Sequence, residues 1–300
     1  MVNFLLLAIV GLVAQLVDGS LGMAYGVTSQ SLLLTVGIAP ALASASVHIA
    51  EVGTTAASGT SHWRFGNVDW AKVWPLAIPG AIGAFFGAVV LSAFITAEAA
   101  EPIVAIFLFC LGVFVLARFS FRRHQRPVQV RPISRAFLAP LGLIAGFLDA
   151  AGGGGWGPIS TPTLLSSGRM EPRKIIGTVD TSEFLVALSA SIGFLFALSF
   201  AEIPWTVVGA LLLGGVIAAP IAAYIVRIMP ARILGSAVGG LILVTNMKTF
   251  LEALGVSGPL AILIYILIVA VWIAAVAYSI RINRREQKGL TPEPSSSRVV

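Results

Sequence analysis

His48 and Glu51 stand one helical turn apart in an otherwise apolar run, and Asp180 and Glu183 repeat the spacing in the second half of the chain. Residues three apart on a helix share a face, so each pair presents two ionisable groups to one neighbour. Ionisable side chains inside a membrane are costly and face the bundle interior or a water-filled cavity. Imidazole changes charge near neutrality, and a carboxylate repels an anion unless it is protonated. The four residues therefore read as coupling or gating groups that carry protons. Hydrogen-bonded cross-linking of helices is the structural alternative. Asp18 and Asp149 each precede a glycine-containing break in an apolar stretch. Short acidic side chains in such places accept N–H bonds from the turn, so both are expected to fix its shape, with coupling as a second candidate role.

The breaks themselves could bind an anion. "FLDAAGGGGWGPIST" runs from Phe147 to Thr161, and "DGSLGMAYGVTSQ" from Asp18 to Gln30. A half-helix that starts inside a membrane exposes unpaired N–H groups carrying partial positive charge, and such ends take anions without a formal cation. Glycine lets the backbone turn tightly and approach a ligand. Pro158 suits a first helical turn, where its missing N–H costs nothing. The candidate binding residues are Gly19, Ser20, Gly22, Tyr25, Thr28, Ser29 and Gln30 in the first break. In the second they are Gly152, Gly153, Gly154, Gly155, Trp156, Ser160 and Thr161. Tyr25 and Trp156 are expected to wall the site. Close helix packing through small residues is the alternative reading of the glycines, but it leaves the flanking Asp, Pro and Ser/Thr unexplained.

The elements that must position these residues are membrane spans. The chain has 300 residues, 57% hydrophobic and only 11% charged, against about 25% charged in a soluble domain. Apolar runs at about 41–60, 72–95, 102–119, 174–200, 206–229, 231–253 and 259–281 are each long enough to cross a core that needs roughly 20 residues. Two more stretches, 2–37 and 136–168, are interrupted by glycine into halves expected to be shorter than a span. The net charge of +6 does not indicate nucleic acid, because the arginines gather in loops beside apolar runs, as topology requires.

The chain also contains itself twice. Gly11, Asp18, Gly22, Tyr25, Gly26 and Ser29 align with Gly142, Asp149, Gly153, Trp156, Gly157 and Ser160. After a one-residue shift His48 aligns with Asp180 and Glu51 with Glu183. Internal duplication is typical of secondary transporters. The loop "ARFSFRRHQRPVQVRPISR" holds six arginines and, with "GRMEPRK" and "RINRRE", is expected on the cytoplasmic side. All three share one side only if 136–168 dips in and returns, and the same treatment of 2–37 puts Arg64 and Lys72 inside and the acidic "ITAEAAEP" outside. The predicted architecture is all-α and polytopic: two inverted repeats with seven spans and two re-entrant segments, the N-terminus outside and the C-terminus cytoplasmic. Its parts are repeat 1 over 1–119, a basic loop over 120–135, repeat 2 over 136–258, a final span over 259–281 and a disordered tail over 282–300.

Other residues read more plainly. Cys110 has no disulfide partner and reads as a small core residue. Arg118 and Lys248 occupy matching places near span ends and are expected to snorkel. Trp63, Trp70, Trp74 and Trp205 fit interfacial belts. The N-terminus lacks a basic signal-peptide region and is read as part of the mature protein. No GxxxxGK[ST], HExxH or GxSxG motif occurs, so neither ATP drive, nor an enzyme, nor a metal or other cofactor is expected.

"GFLDAAGGGGWGPISTPTLL", then "GTVDTSE", with "SHWRFGNVDW" in the first half, resembles the sulfite exporter TauE/SafE family from about Gly11 to the last span. The resemblance implies a bacterial inner-membrane secondary transporter of a small anion, often sulfur-containing, such as sulfite, a sulfonate or sulfoacetate. The implied partners are that anion and the lipid bilayer, with homo-oligomerisation open. A passive anion channel is the runner-up function.

Overall fold

The computed structural model describes residues 4–121, 132–167, 169–225 and 231–289, and among them it is helical without strands. Eleven helices follow in order. The first half holds α1 (Phe4–Leu21), α2 (Tyr25–Thr35), α3 (Pro40–Arg64), α4 (Trp70–Ala93) and α5 (Ala97–Phe121). The second holds α6 (Arg135–Gly152), α7 (Trp156–Ser167), α8 (Pro172–Ala197), α9 (Trp205–Ile225) and α10 (Ala231–Ala253), and α11 (Pro259–Gly289) closes the chain. Each expected span is one helix, and each interrupted stretch is two.

Three boundaries differ from expectation. The first limbs of the broken pairs, α1 and α6, have 18 residues each, or about 27 Å at about 1.5 Å per residue; they are not half-length. Seven helices are long and apolar enough to cross a membrane, but α1 and α6 are among them while α3 and α10 are not. α3 is 25 residues long, and its apolar character is diluted by the buried serines, threonines, histidines and Glu51 that it carries inward. Finally, α11 continues past Arg281 through Gly289, so the start of the expected tail is helical. The core of the arginine-rich loop (122–131), the last residues of the expected span 206–229, and 290–300 lie outside the described residues.

Inter-helix contacts fix the directions of the helices. Gly11 lies against Leu211 and Gly19 against Ala222, so α1 and α9 run parallel. Gly142 lies against Leu76 and Gly87 against Phe147, so α6 and α4 run parallel too. The first limb of each half thus packs on the fourth helix of the other. The equivalent helices α3 and α8 run antiparallel: Ser58 bonds Asp180 while His48 meets Phe194. Gly112 against Leu243 and Gly235 against Phe119 make α5 and α10 antiparallel as well. α3 runs with α9, since Gly53 meets Leu212 and Ser58 lies with Ala222 at Gly19. α2 runs against α3, because Gln30 bonds the Pro40 carbonyl and Gly26 neighbours Glu51. α1 and α2 therefore form a hairpin.

Small residues make these crossings possible. A Cβ on Gly214 would fall 1.9 Å from the Ala8 carbonyl oxygen, and one on Gly146 would fall 2.1 Å from that of Gly80. Helices approach this closely only where a side chain is missing. The main buried cluster centres on Trp156, Phe194, Leu138 and Leu108, beneath the two breaks.

Candidate functional site

The two helix breaks meet. Gly154, at φ 139°, presses on the start of α2, where an added Cβ would fall 2.3 Å from the Val27 nitrogen. Gly157 lies on Met23, Gly153 on the Gln30 side chain, and the Thr161 hydroxyl donates to the Gly22 carbonyl. The conformation at Gly154 and the space around it both exclude a side chain. In the first break Gly22 at φ 66° and Ala24 at φ 101° both take positive φ, the alanine without the freedom of glycine.

All the candidate binding residues are buried, which closes the site to solvent in this conformation. Their polar atoms divide into committed and uncommitted groups. Thr28, Ser29 and Ser160 hydroxyls have no hydrogen-bond partner, and neither has Gln30 Oε1. Thr28 closes the first turn of α2, and Ser29 and Ser160 open the second turns of α2 and α7. Ser20 differs: its hydroxyl donates to the Leu16 and Val17 carbonyls of its own helix. Gly152 serves packing, with Phe107 in the space its side chain would need. Tyr25 and Trp156 are buried beside the breaks, and their polar tips donate to the Leu211 and Val179 carbonyls.

The N–H groups of the glycine run are not free here. Asp149 Oδ1 accepts from Gly155 N at 2.7 Å and Trp156 N at 2.9 Å, and its main-chain carbonyl accepts from Gly153 and Gly154. The loop is shaped by Asp149, and the anion donors left at this break are side-chain hydroxyls. Asp18 does less for its own loop, accepting one longer bond of 3.4 Å from Tyr25 N.

The ionisable residues join across the two halves. Asp149 Oδ2 lies 3.0 Å from His48 Nε2, and Glu51 Oε2 lies 4.0 Å from the same nitrogen. His48 Nδ1 lies 2.8 Å from the Ser44 carbonyl. Both ring nitrogens face acceptors, so both donate and the ring is an imidazolium. The equivalent cluster unites Asp18 of the first half with Asp180 and Glu183 of the second, their carboxylate oxygens within 4.8 Å of one another. Each cluster thus takes its aspartate from one half and its helical pair from the other.

Several supporting residues carry no motif. Ser58 donates to Asp180 Oδ1 at 2.9 Å. Ser44 donates to the Ala150 carbonyl. His62 Nε2 reaches the Gly19 carbonyl at 3.1 Å near the end of α1, satisfying an acceptor that a helix terminus leaves open. Asn246 anchors α2 through Ser31. Ser44 and Ser58 sit at helical spacing from His48 and Glu51, and His62 lies within "SHWRFGNVDW"; Asn246 gives no signal in the sequence.

Toward the ends of α3 and α8, a cavity of about 380 Å³ opens between Val68–Trp70 and Arg169–Lys174, with Arg169, Lys174, Asp69 and Glu171 in its lining. Arg118 donates to the Pro162 carbonyl and so ties α5 to α7. The side chain of Lys248 lies outside the described residues. Cys110 is exposed, not in the core: the apolar run that holds it is a helix with an outward face, where a small thiol is as acceptable to lipid as to protein. Trp63, Trp70, Trp74 and Trp205 are also exposed.

Residues 7–249 match the family described as sulfite exporter TauE/SafE. The chain is 50% identical over 280 residues, 93% of each chain, to the probable membrane transporter protein YtnM of Bacillus subtilis (strain 168). It is 27% identical over 242 residues, 79% of this chain and 93% of the relative, to the probable membrane transporter protein YdhB of the same organism. No solved structure matches.

Proposed function

The chain is a multi-pass membrane transporter belonging to the sulfite exporter TauE/SafE family, and on that premise we propose that it carries a small sulfur-containing anion by alternating access. One observation carries the reading: the two helix breaks meet in the buried interior, and three hydroxyls just after them, those of Thr28, Ser29 and Ser160, are buried without partners. Buried hydroxyls without partners cost free energy, and a ligand oxyanion relieves that cost. A sulfite or sulfonate group presents three oxygens to three donors.

The halves act as inverted repeats in this account. Antiparallel packing of α3 on α8 and of α5 on α10, together with the swapped pairing of α1 and α6, supports it. The α1–α2 and α6–α7 hairpins are the re-entrant elements, with the ends of the chain on opposite sides of a bacterial inner membrane. The cavity lined by Arg169 and Lys174 together with Asp69 and Glu171 is the cytoplasmic approach for the anion.

Proton movement accompanies the anion. The ion pair of His48 with Asp149 holds the glycine loop through Gly155 and Trp156, so a proton shifted within His48, Asp149 and Glu51 acts directly on the loop. The test is counterflow of labelled sulfite or sulfoacetate in proteoliposomes at several pH values. Saturable, trans-stimulated uptake that loses its pH dependence in Glu51→Gln supports a proton-coupled carrier. Linear flux in both directions means a channel, and an unaltered pH profile in Glu51→Gln removes the proton role.

A further inference from the structure

The two ionisable clusters are equivalent in the duplicated chain but opposite in charge. In one, Asp149 and Glu51 face the His48 imidazolium. In the other, Asp180 takes the place of His48. The result is three carboxylates of Asp18, Asp180 and Glu183 within 4.8 Å, none more than 5% exposed. The N–H of Tyr25 and the hydroxyl of Ser58 are the donors that reach them. Asp18 Oδ2 and Asp180 Oδ2 have no partner. No lysine or arginine pairs with the cluster among the described residues. Buried like charges at this spacing require compensation.

An independent feature says what kind of compensation fits. Gln15, one turn before Asp18, is fully buried, and neither atom of its amide has a partner. Its Nε2 and the Ser58 hydroxyl lie 3.6 and 3.5 Å from the position of a Cβ on Gly19, so the amide end and the hydroxyl that bonds Asp180 border the same space beside α1. An amide turned by a half-rotation presents Oε1 there instead, and Ser58 keeps lone pairs while it donates. The other cluster lacks both groups: the equivalents of Gln15 and Ser58 are Gly146 and Ala190. The cluster without a cation of its own has these two neutral groups beside it, and neither has a counterpart where His48 supplies the charge.

We propose that Asp18, Asp180 and Glu183, with Gln15 and Ser58, bind one oxygen-seeking metal cation of the size of sodium or calcium. Three oxygens within 4.8 Å of one another surround a common centre at most about 2.8 Å from each, so a small contraction brings them to the roughly 2.3–2.6 Å of calcium, whereas magnesium requires about 2.0–2.1 Å. The site lies where α1 meets α8, so the cation bridges the two halves and its departure frees them to move. The proposal rests on the inverted arrangement of the proposed transporter but not on which anion it carries.

Equilibrium binding of labelled sodium and labelled calcium to the purified, chelator-treated protein tests it, in choline chloride without any sulfur-containing anion. The expected result is one saturable site per chain for one of the two ions. Asp180→Asn weakens it by at least about tenfold, and Ser58→Ala and Gln15→Leu each do so by several-fold. Glu171→Gln, an exposed acidic residue, leaves it unchanged. Gln15→Leu removes no charge and decides the matter if Asp180→Asn does not yield monodisperse protein. Absence of saturable binding to the wild type overturns the proposal and leaves protons to neutralise the cluster. Equal binding by Gln15→Leu and the wild type overturns the assigned ligands.

Discussion

Asp149 and Asp18 are equivalent by sequence, yet replacing them should have opposite consequences. Asp149 accepts two short N–H bonds from Gly155 and Trp156 and pairs with His48 at 3.0 Å, at 3% exposure. Asparagine in its place keeps the acceptor toward the loop but leaves the imidazolium with only Glu51, 4.0 Å away, as counter-charge. Removing one partner of a buried ion pair costs about 3–5 kcal/mol. For a chain of 300 residues that lowers the unfolding temperature by roughly 5–8 °C. Asp18 accepts one bond of 3.4 Å and otherwise faces Asp180 and Glu183. The substitution Asp18→Asn keeps an acceptor and removes one of three repelling charges, so it should leave the unfolding temperature unchanged or raise it by a few degrees. Thermal unfolding of both variants in the same detergent and choline buffer, free of sodium and calcium, is the assay. Equal losses for the two variants, or a larger loss for Asp18→Asn, would refute the charge assignment of the two clusters.

Gly154→Ala should be poorly tolerated, because the φ of 139° and the Val27 nitrogen 2.3 Å away leave no place for the methyl. Strain alone costs about 1–3 kcal/mol, and the melting temperature reads it against Gly209→Ala, where nothing lies within 4 Å of the added carbon. Ala24→Gly should raise the melting temperature slightly, since the residue sits at φ 101° and a side chain there is strained. Cysteines placed at Arg169 and at Gly66 should both react with an impermeant thiol reagent from the cytoplasmic side, and one placed at Gly37 from the outside. Opposite labelling of Arg169 and Gly66 would exclude the re-entrant hairpins.

The sequence was most informative where lipid is the constraint. Hydropathy placed α4, α8 and α9 to within a few residues of their observed starts, because a span must be long, apolar and internally bonded. The glycines of "GGGG" marked the second break, and "DGSLGMAYG" the first, for the same reason. Two properties were beyond it. Spacing shows that His48 and Glu51 share a face, but not that the face meets Asp149 of the other half; that depends on how the halves interlock. Composition likewise suggested that backbone N–H groups await an anion at both breaks, whereas Asp149 holds those of Gly153 to Trp156 in the second. Gln15 and Ser58 were illegible because a single buried amide or hydroxyl at helical spacing resembles any other small polar residue in a helix packed through small side chains.

The central claim is that the meeting point of the two helix breaks binds the anion. Counterflow of labelled sulfite and sulfoacetate in proteoliposomes should be compared between the wild type and the double variant Ser29→Ala, Ser160→Ala. Each lost hydrogen bond to a charged ligand is worth about 1.5–3 kcal/mol, so the claim predicts saturable uptake in the wild type and an affinity at least about a hundredfold weaker in the double variant, with unfolding temperature preserved. Saturable uptake with the same affinity in both proteins would contradict it.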